Sequence, residues 1–329
     1  MSYSGLTVAI VVPAFNEESS IKATLEDFAT YFPGAIFLVI DNNSSDGTFH
    51  AAKDFLFENN LDHHVLFEKI QGKSNAVKLA FSRVKADIWV MADADNTYPA
   101  KTLSALVEKM LDERFAHGIA DRMSEGSYLN SGGVRTKIHN LGNTFFTKLI
   151  SVAAATSFKD VLSGGRVFSA PFVETLVIES KGFQLETELN FHSSDVSAQV
   201  CELPTEYRTR PSDNPSKLST IRDGLRILGF IFRWSFFRKS DYTFFCVAFV
   251  LLVAGLILGS RLVSYFWYAG NMPYASTAVL VGVLITGSLL FATVGITVRQ
   301  FRKSFQSIQR RKFQTLTRVW NERLDKLRV

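Results

Sequence analysis

Asp87-Ile-Trp-Val-Met-Ala-Asp-Ala-Asp95 is the stretch that decides the fold. Its apolar run reads as a buried strand. Asp93 and Asp95 follow directly, two carboxylates two residues apart. Such a pair is costly inside a core. At the carboxyl edge of an α/β sheet the same pair suits a hard divalent cation and the phosphates it carries. A D-x-D tripeptide occurs often by chance, so its surroundings must decide between a site and a solvated loop.

Upstream, Leu6-Thr-Val-Ala-Ile-Val-Val-Pro13 is β-branched and apolar with no helical period, as in a parallel strand buried on both faces. It runs into Asn16-Glu-Glu18, and Ile21, Leu25 and Phe28 then recur at helical spacing. A second strand, Ala35 to Ile40, ends in Asp41-Asn-Asn-Ser-Ser-Asp-Gly-Thr48. A third, His64 to Glu68, leads into Gln71-Gly-Lys-Ser-Asn-Ala76 and a helix through Val84. Alternating strands and helices predict a doubly wound, mostly parallel α/β sheet. Each polar cluster falls at a carboxyl end, where such sheets bind ligands.

Two nucleotide-binding motifs are absent. A P-loop needs glycine five residues before Gly72, where Phe67 stands, and no G-x-G-x-x-G follows the first strand. Phosphates are therefore expected to be held mainly by a metal.

The later sequence changes character. Tyr242 to Gly259 and Ala275 to Val298 carry no charge, and each approaches the roughly 20 residues that cross a bilayer. Arg233, Arg238 and Lys239 precede the first run, and Arg299, Arg302, Lys303, Arg310, Arg311 and Lys312 follow the second. The connecting loop, Ser260 to Tyr274, holds only Arg261. The charge bias places both flanks and both termini on the cytoplasmic side, with the loop outside. The N-terminus enters a strand at once, so no signal peptide is expected. Cys201 and Cys246 are far apart in sequence, which fits a reducing compartment. Before the first run, Ile221, Leu225, Leu228, Phe232 and Phe236 recur at helical spacing among arginines. They form an amphipathic helix that lies in the headgroup layer or packs on the catalytic domain. The basic tail is expected to form one more helix to Leu327, amphipathic or simply solvated. The net charge of +5 clusters beside the spans without a stacking platform, so nucleic acid is not an expected partner. Gly255, Gly259, Gly282 and Gly287 permit close helix packing and hence a homo-oligomer. The expected organisation is residues 1–216 catalytic, 217–240 juxtamembrane, 241–298 a transmembrane hairpin and 299–329 a basic cytoplasmic helix.

Val12-Pro-Ala-Phe-Asn-Glu-Glu18, Asp41 to Thr48, Gly72 to Ala76 and Asp93-Ala-Asp-Asn-Thr-Tyr-Pro99 resemble family-2 glycosyltransferases of the GT-A fold. Asp121-Arg122, Arg135, Asp160-Val-Leu-Ser-Gly-Gly-Arg-Val-Phe168, Gly182 to Glu188, Tyr207-Arg-Thr-Arg210, Ser216-Lys-Leu218 and Arg222 to Arg226 resemble the polyprenol-phosphate sugar synthases, the dolichyl-phosphate-mannose synthase type. The likeness covers roughly residues 6 to 228. It implies inverting transfer of a hexose or N-acetylhexosamine from a nucleotide-sugar, with UDP favoured, to an undecaprenyl or dolichyl phosphate at the cytoplasmic face. It implies Mg2+ or Mn2+ at Asp95 and Asp93, with Thr97 nearby. Pro13, Asn16, Glu17, Asp41, Lys73 and Asp93 would meet the donor nucleotide. Asp41 and Glu17 also suit plain structural roles, a turn-forming Asx residue and a charge at a helix N-terminus.

A polyprenyl phosphate is already an anion and needs cations more than a base. Arg122, Arg135 and Arg210, with Lys217, are the expected clamp, because guanidinium grips phosphate in bidentate fashion. Asp160 is expected to orient attack on the anomeric carbon, and Arg166 to bind the donor diphosphate or brace Asp160. Glu186 and Glu188 either meet sugar hydroxyls or serve structure. The histidines show no metal-ligand spacing. A processive polysaccharide synthase would need Q-x-x-R-W, but Phe230 stands where glutamine should precede Arg233-Trp234. A non-catalytic membrane scaffold would not be expected to keep Asp93, Asp95, Arg122 and Asp160 together.

Overall fold

The computed structural model describes residues 5–124, 134–180, 182, 184–208, 220–238, 240–270 and 275–327; the side chains of 134–141, 220–223, 236–238 and 240 lie outside that description. Seven strands form one sheet, β1 (Val8–Ala14), β2 (Ile36–Asp41), β3 (His63–Phe67), β4 (Ile88–Met91), β5 (His117–Asp121), β6 (Arg166–Ser169) and β7 (Val200–Pro204). Their spatial order is β3-β2-β1-β4-β6-β5-β7. β6 runs antiparallel to β4 and β5, and every other pairing is parallel.

The central strands are apolar throughout because both faces are covered. Val8, Ile10, Val12 and Ala14 enter one core layer and Ala9 and Val11 the other. Phe37 and Val39 against Leu38 and Ile40, and Ile88 and Val90 against Trp89 and Met91, follow the same two-residue alternation. Helices α1 (Ile21–Tyr31), α2 (Thr48–Glu58) and α4 (Ala100–Glu113) cover the first face. Helices α3 (Lys73–Arg83), α6 (Ala170–Thr175) and α7 (Leu185–Val196) cover the second. The strand order reverses at β1 and β4, so the loops after them diverge and open a crevice at the carboxyl edge. Both aspartates of the D-x-D turn leave β4 there.

Helix α5 (Val134–Ala154) precedes β6, and α8 (Thr220–Arg238), α9 (Ser240–Ala269) and α10 (Ala275–Leu327) complete the chain. There are two compact units, residues 1–231 with 309–329, and residues 232–308. The second holds two helical segments long and apolar enough to cross a membrane. They pack on each other: Ser288 Oγ donates to Ala248 O at 2.8 Å, and Asp241 pairs with Arg302 at 2.6 Å. Gly255 abuts Ile285, Gly259 abuts Val281 and Gly287 abuts Leu251, so three of the four glycines serve the hairpin itself.

Two expectations about the C-terminal region change. The stretch from Ser260 is not a loop, because α9 continues to Ala269; from Ser260 to Ala269 there is no glycine or proline, and Gly270, which follows, has φ +70°. The basic tail is not a separate helix either, since α10 runs unbroken past Val298. Its end is neither merely solvated nor free. Phe313, Trp320 and Leu324 are buried in the cores of the catalytic unit. Arg323 Nη1 lies 2.6 Å from Asp87 Oδ1, and Arg114 Nη2 lies 2.7 Å from Asp325 Oδ1. The segment thus caps the amino ends of the strands, opposite the crevice. On α8, Ile227 and Ile231 are buried and Phe230 stacks on Phe191, whereas Leu225 and Phe232 stay exposed.

Candidate functional site

The D-x-D turn is fastened from three directions. Ser20 Oγ and Thr24 Oγ1 of the α1 start each donate to Ala94 O at 3.0 Å. Asp95 is buried, and its Oδ1 accepts from Thr97 N at 3.1 Å and Thr97 Oγ1 at 2.6 Å. Asn96 takes the left-handed conformation, φ 58°, which Asn tolerates better than most residues. Arg208 then clamps the turn, its N–H on Thr97 O at 3.0 Å and its Nη1 on Asn96 Oδ1 at 2.8 Å.

Asp93 faces a protein cation. Lys73 Nζ, at the start of α3, lies 2.6 Å from Asp93 Oδ1 and 2.6 Å from Glu186 Oε1 of α7. Burial works against the Lys73 charge, but Asp93 and Glu186 outweigh it and hold its pKa above the ordinary lysine value. Gly164 packs so closely on the Asp93 carboxylate that no Cβ fits, and Gly165 does the same against Tyr98. Tyr98 Oη accepts the Gly164 N–H at 2.7 Å. The loop before β6 is therefore pressed onto the D-x-D turn.

Beyond it lies a buried ion pair. Arg122 Nε and Nη2 donate to Asp160 Oδ2 and Oδ1 at 2.7 and 2.8 Å, and the Arg122 N–H adds a third bond at 3.2 Å. Asn143 of α5 donates to Asp160 Oδ1 at 3.2 Å. The Arg122 guanidinium also sits 5.5 Å above the Tyr207 ring, a cation–π contact. Burial raises the Asp160 pKa, yet Arg122 and then Asn143 reverse this and hold it below the ordinary carboxylate value.

On the other side of the crevice, Asn16 Oδ1 accepts from Ser45 N at 2.8 Å, and Glu17 Oε2 accepts from Ser20 Oγ at 2.8 Å. Asp41 is buried and its Oδ1 accepts from Ser44 N at 3.2 Å, an Asx turn. Pro13 lies on β1, in register with Ile40, one step before the loop. Asn42, which sequence reasoning passed over, links the second and third loops: it donates to Glu68 O at 3.2 Å and Ile70 O at 2.9 Å and accepts from Gly72 N at 2.6 Å.

Three expectations need correction or qualification. Arg166 neither meets a diphosphate nor braces the Asp160 carboxylate. It is fully buried, donating to Ser163 O, Val161 O and Asn190 Oδ1 at 2.8 Å, with His117 Nε2 at 2.9 Å from Nη1. An antiparallel strand between β4 and β5 turns its first side chain inward, and the arginine stitches the 161–163 loop instead. Burial, then Arg166, push the His117 pKa well below the ordinary histidine value; the ring stays neutral and accepts at Nε2, so His117 is a structural partner of Arg166. Arg122 is not a free clamp, since two of its nitrogens are committed to Asp160. Glu188 bonds the backbone, accepting from Glu179 N at 2.7 Å and Ser180 N at 3.1 Å. Arg210 and Lys217 lie outside the described residues, as does the side chain of Arg135. Asn143, Tyr98 and Tyr207 were missed as supports; no spacing rule marks an asparagine in a helix or a tyrosine after a D-x-D.

Among the described residues no three His, Cys, Asp or Glu side chains gather around a point that could hold a metal. Asp95 and Asp93 nevertheless fit a divalent cation of the Mg2+ or Mn2+ type. Such an ion keeps several waters and is held by one or two carboxylates plus substrate phosphates.

A mostly parallel sheet with a D-x-D turn at its switch point has the architecture of a GT-A glycosyltransferase. The family model described as Glycosyl transferase family 2 matches residues 9–175, and the chain belongs to that family. It is 29% identical over 286 residues to "Glycosyltransferase AglJ" of Haloferax volcanii, covering 86% of this chain and 90% of that one. It is 24% identical over 221 residues to the "Dolichyl-phosphate hexose transferase" of the same organism, covering 67% of this chain and 90% of that one. Glucosyl-3-phosphoglycerate synthase from Mycobacterium tuberculosis, solved with uridine diphosphate, superposes with a TM-score of 0.53 at 18% identity over 70% of this chain and 81% of that one. That likeness bears on the fold alone, which is of the GT-A type, as the sequence motifs implied.

Proposed function

We propose that the protein transfers a hexose or N-acetylhexosamine, with inversion, from a nucleotide-sugar, with UDP as the favoured nucleotide, to a polyprenyl phosphate at the cytoplasmic face of a membrane. The observation that carries this reading is the D-x-D turn held rigidly beside a buried cation system, in a chain with two membrane-length apolar segments. The similarity to a protein named for a dolichyl-phosphate acceptor supports it.

Asp95, with Asp93 beside it, would hold Mg2+ or Mn2+. The bound metal would neutralise charge developing on the departing nucleoside diphosphate. Thr97 orients the Asp95 carboxylate for this, and Arg208 keeps the turn from opening. Asn16, Glu17 and Asp41 line the side of the crevice where the nucleoside would lie. Lys73 brings a point charge to the diphosphate. The acceptor phosphate carries its own negative charge and attacks without a strong base. Arg135, Arg210 and Lys217 are its proposed clamp, with Arg122 and Asp160 fixing the floor beneath it. The two spans would anchor this chemistry at the lipid surface, termini inside.

The test is purified protein with C55 polyprenyl phosphate and a panel of UDP- and GDP-sugars, scored by the mass of the lipid product. A single glycosylated lipid phosphate is expected, abolished by EDTA or by Asp95→Asn and restored by Mn2+ or Mg2+ in the wild type. No lipid-linked product from any donor would sink the reading. For the orientation, a cysteine introduced at Asn271 should label from outside intact cells; labelling only after permeabilisation would overturn it.

A further inference from the structure

The catalytic unit is not one continuous length of chain. It comprises residues 1–231 and 309–329, and the unit of residues 232–308 lies between them in sequence. The chain therefore leaves the catalytic unit, passes through both membrane-length segments and returns. The returning stretch is fastened along its length. Arg310 Nε donates to Asp195 O near the end of α7 at 2.8 Å, and Lys312 Nζ to Glu174 O near the end of α6 at 3.4 Å. Cations suit the carbonyl ends of helices. Phe313 is buried in the second core layer, and Trp320 and Leu324 in the first, all at 5% exposure or less. Arg323 Nη1 reaches Asp87 Oδ1 at 2.6 Å, while Asp87 Oδ2 accepts from Thr7 N at 2.9 Å, just before β1. The Arg323 side chain is 54% exposed, and an ion pair open to water contributes little. The three buried apolar side chains therefore carry the docking.

We propose that residues 309–327 are a second membrane tether, a clasp that keeps the catalytic unit on the bilayer independently of the covalent connection before α9. The proposal rests on the two apolar segments lying in a membrane, and not on the transferase reading. The first attachment is the chain itself, running from α8 into α9. The second is the docked segment, which continues α10 and so arrives from the second span without a break. No glycine or proline follows Gly295 to interrupt that helix. Both attachments belong to one chain, so docking is intramolecular and its effective concentration far exceeds that of a separate segment in solution. A cut at either attachment leaves the other in place. A bilayer-borne acceptor gives this a use. An enzyme that stays on the surface meets its next lipid phosphate in two dimensions, without first finding the membrane again.

The test places the full-length protein, tagged at its N-terminus, in vesicles of phosphatidylcholine and phosphatidylglycerol. A recognition sequence for a site-specific protease is inserted after Arg238, between Gln306 and Ser307, or at both points. After cutting, the vesicles are floated and the tagged catalytic unit is followed. Cut after Arg238 alone, the unit is joined to the hairpin only by the docked segment, and it should float with the vesicles. Cut at both points it should leave them, with at least about ten-fold less tagged protein floating than after the first cut alone. Release by the first cut alone would overturn the proposal, because the docked segment would then hold nothing. Retention after both cuts would overturn it as well, because α8 or the surface of the unit would then suffice. If the insertion in α10 does not fold, Trp320→Asp combined with the cut after Arg238 takes its place. A carboxylate in the first core layer should undock the segment and release the unit, and continued retention would refute the clasp. Location is the readout throughout. A protein that floats as expected but glycosylates no lipid phosphate would therefore sink the transfer reading and leave this one standing.

Discussion

The guanidinium of Arg122 meets the carboxylate of Asp160 edge to edge, with bonds of 2.7 and 2.8 Å, and both residues are buried. Breaking a buried pair from one side leaves an uncompensated charge and costs about 3–5 kcal/mol. Asp160→Ala should lose that much in urea unfolding, while the double variant Arg122→Met with Asp160→Leu should recover most of it. A single variant as stable as wild type would mean the pair is open to water. The pH dependence follows the same pair. The folded Asp160 carboxyl titrates below its unfolded value of about 3.9. Its contribution is therefore complete above about pH 4 and is lost as pH falls through the folded value. Wild type and the double variant should be close in stability at neutral pH, and wild type should fall below the double variant in acid as the Asp160 contribution is lost.

Trp320 lies in the first core layer, although α10 begins in an apolar membrane-length segment. Its Nε1 has no hydrogen-bond partner among the described residues. Packing, not hydrogen bonding, therefore gives this residue its value. Trp320→Ala should cost about 3–5 kcal/mol, the range for large aromatic truncations. Trp320→Phe should cost far less, because no bond is lost with the indole nitrogen. Equal losses in thermal unfolding would refute this packing account.

The alternation of strand and helix through Asp93, the D-x-D turn at a carboxyl edge and the two apolar spans were all legible, because hydrophobic period and chain punctuation report them directly. β6 was not read as antiparallel. Its four residues carry no mark of direction, and the reversal depends on the Gly164-Gly165 loop folding back against Asp93 and Tyr98. Arg166 looked like a phosphate ligand for a related reason. An arginine beside a glycine pair reads the same whether it faces a substrate or a carbonyl, and only the fold says which. The docking of Phe313, Trp320 and Leu324 was hidden among basic residues whose charge dominates the local pattern.

Gly164→Ala should separate site from scaffold. A Cβ there would meet the Asp93 carboxylate, whereas a Cβ at Gly142 on α5 meets, among the described residues, no atom within 4 Å outside its own helix turn. Gly142→Ala should be neutral or stabilising by up to about 1 kcal/mol, the helix preference for alanine. Gly164→Ala should keep its far-ultraviolet circular dichroism and lose nearly all transfer. Retained activity would show that the loop can yield and that its contact with Asp93 is incidental.

If a lipid phosphate is the nucleophile, its charge must be held near the anomeric carbon, where the chain approaches the membrane. With Arg122 committed to Asp160, the burden falls on cations outside the buried pair. Arg208 lies at the D-x-D turn, where its Nη1 is shared by Asp27 Oδ2 and Asn96 Oδ1, both at 2.8 Å. It is therefore a brace, and Arg210, two residues on, and Arg135 are the candidates left to the acceptor. Removing one partner of a desolvated charge pair typically costs about 2–5 kcal/mol. Arg135→Ala and Arg210→Ala should thus cut transfer to polyprenyl phosphate by at least about ten-fold, since 1.4 kcal/mol is a factor of ten. Their affinity for nucleoside diphosphate with metal, read by calorimetry, should barely move. Asp95→Asn should show the reverse, losing nucleotide affinity first. Arginine variants that lose nucleotide affinity and keep a normal dependence on lipid phosphate would assign these cations to the donor and leave the acceptor clamp to be sought elsewhere.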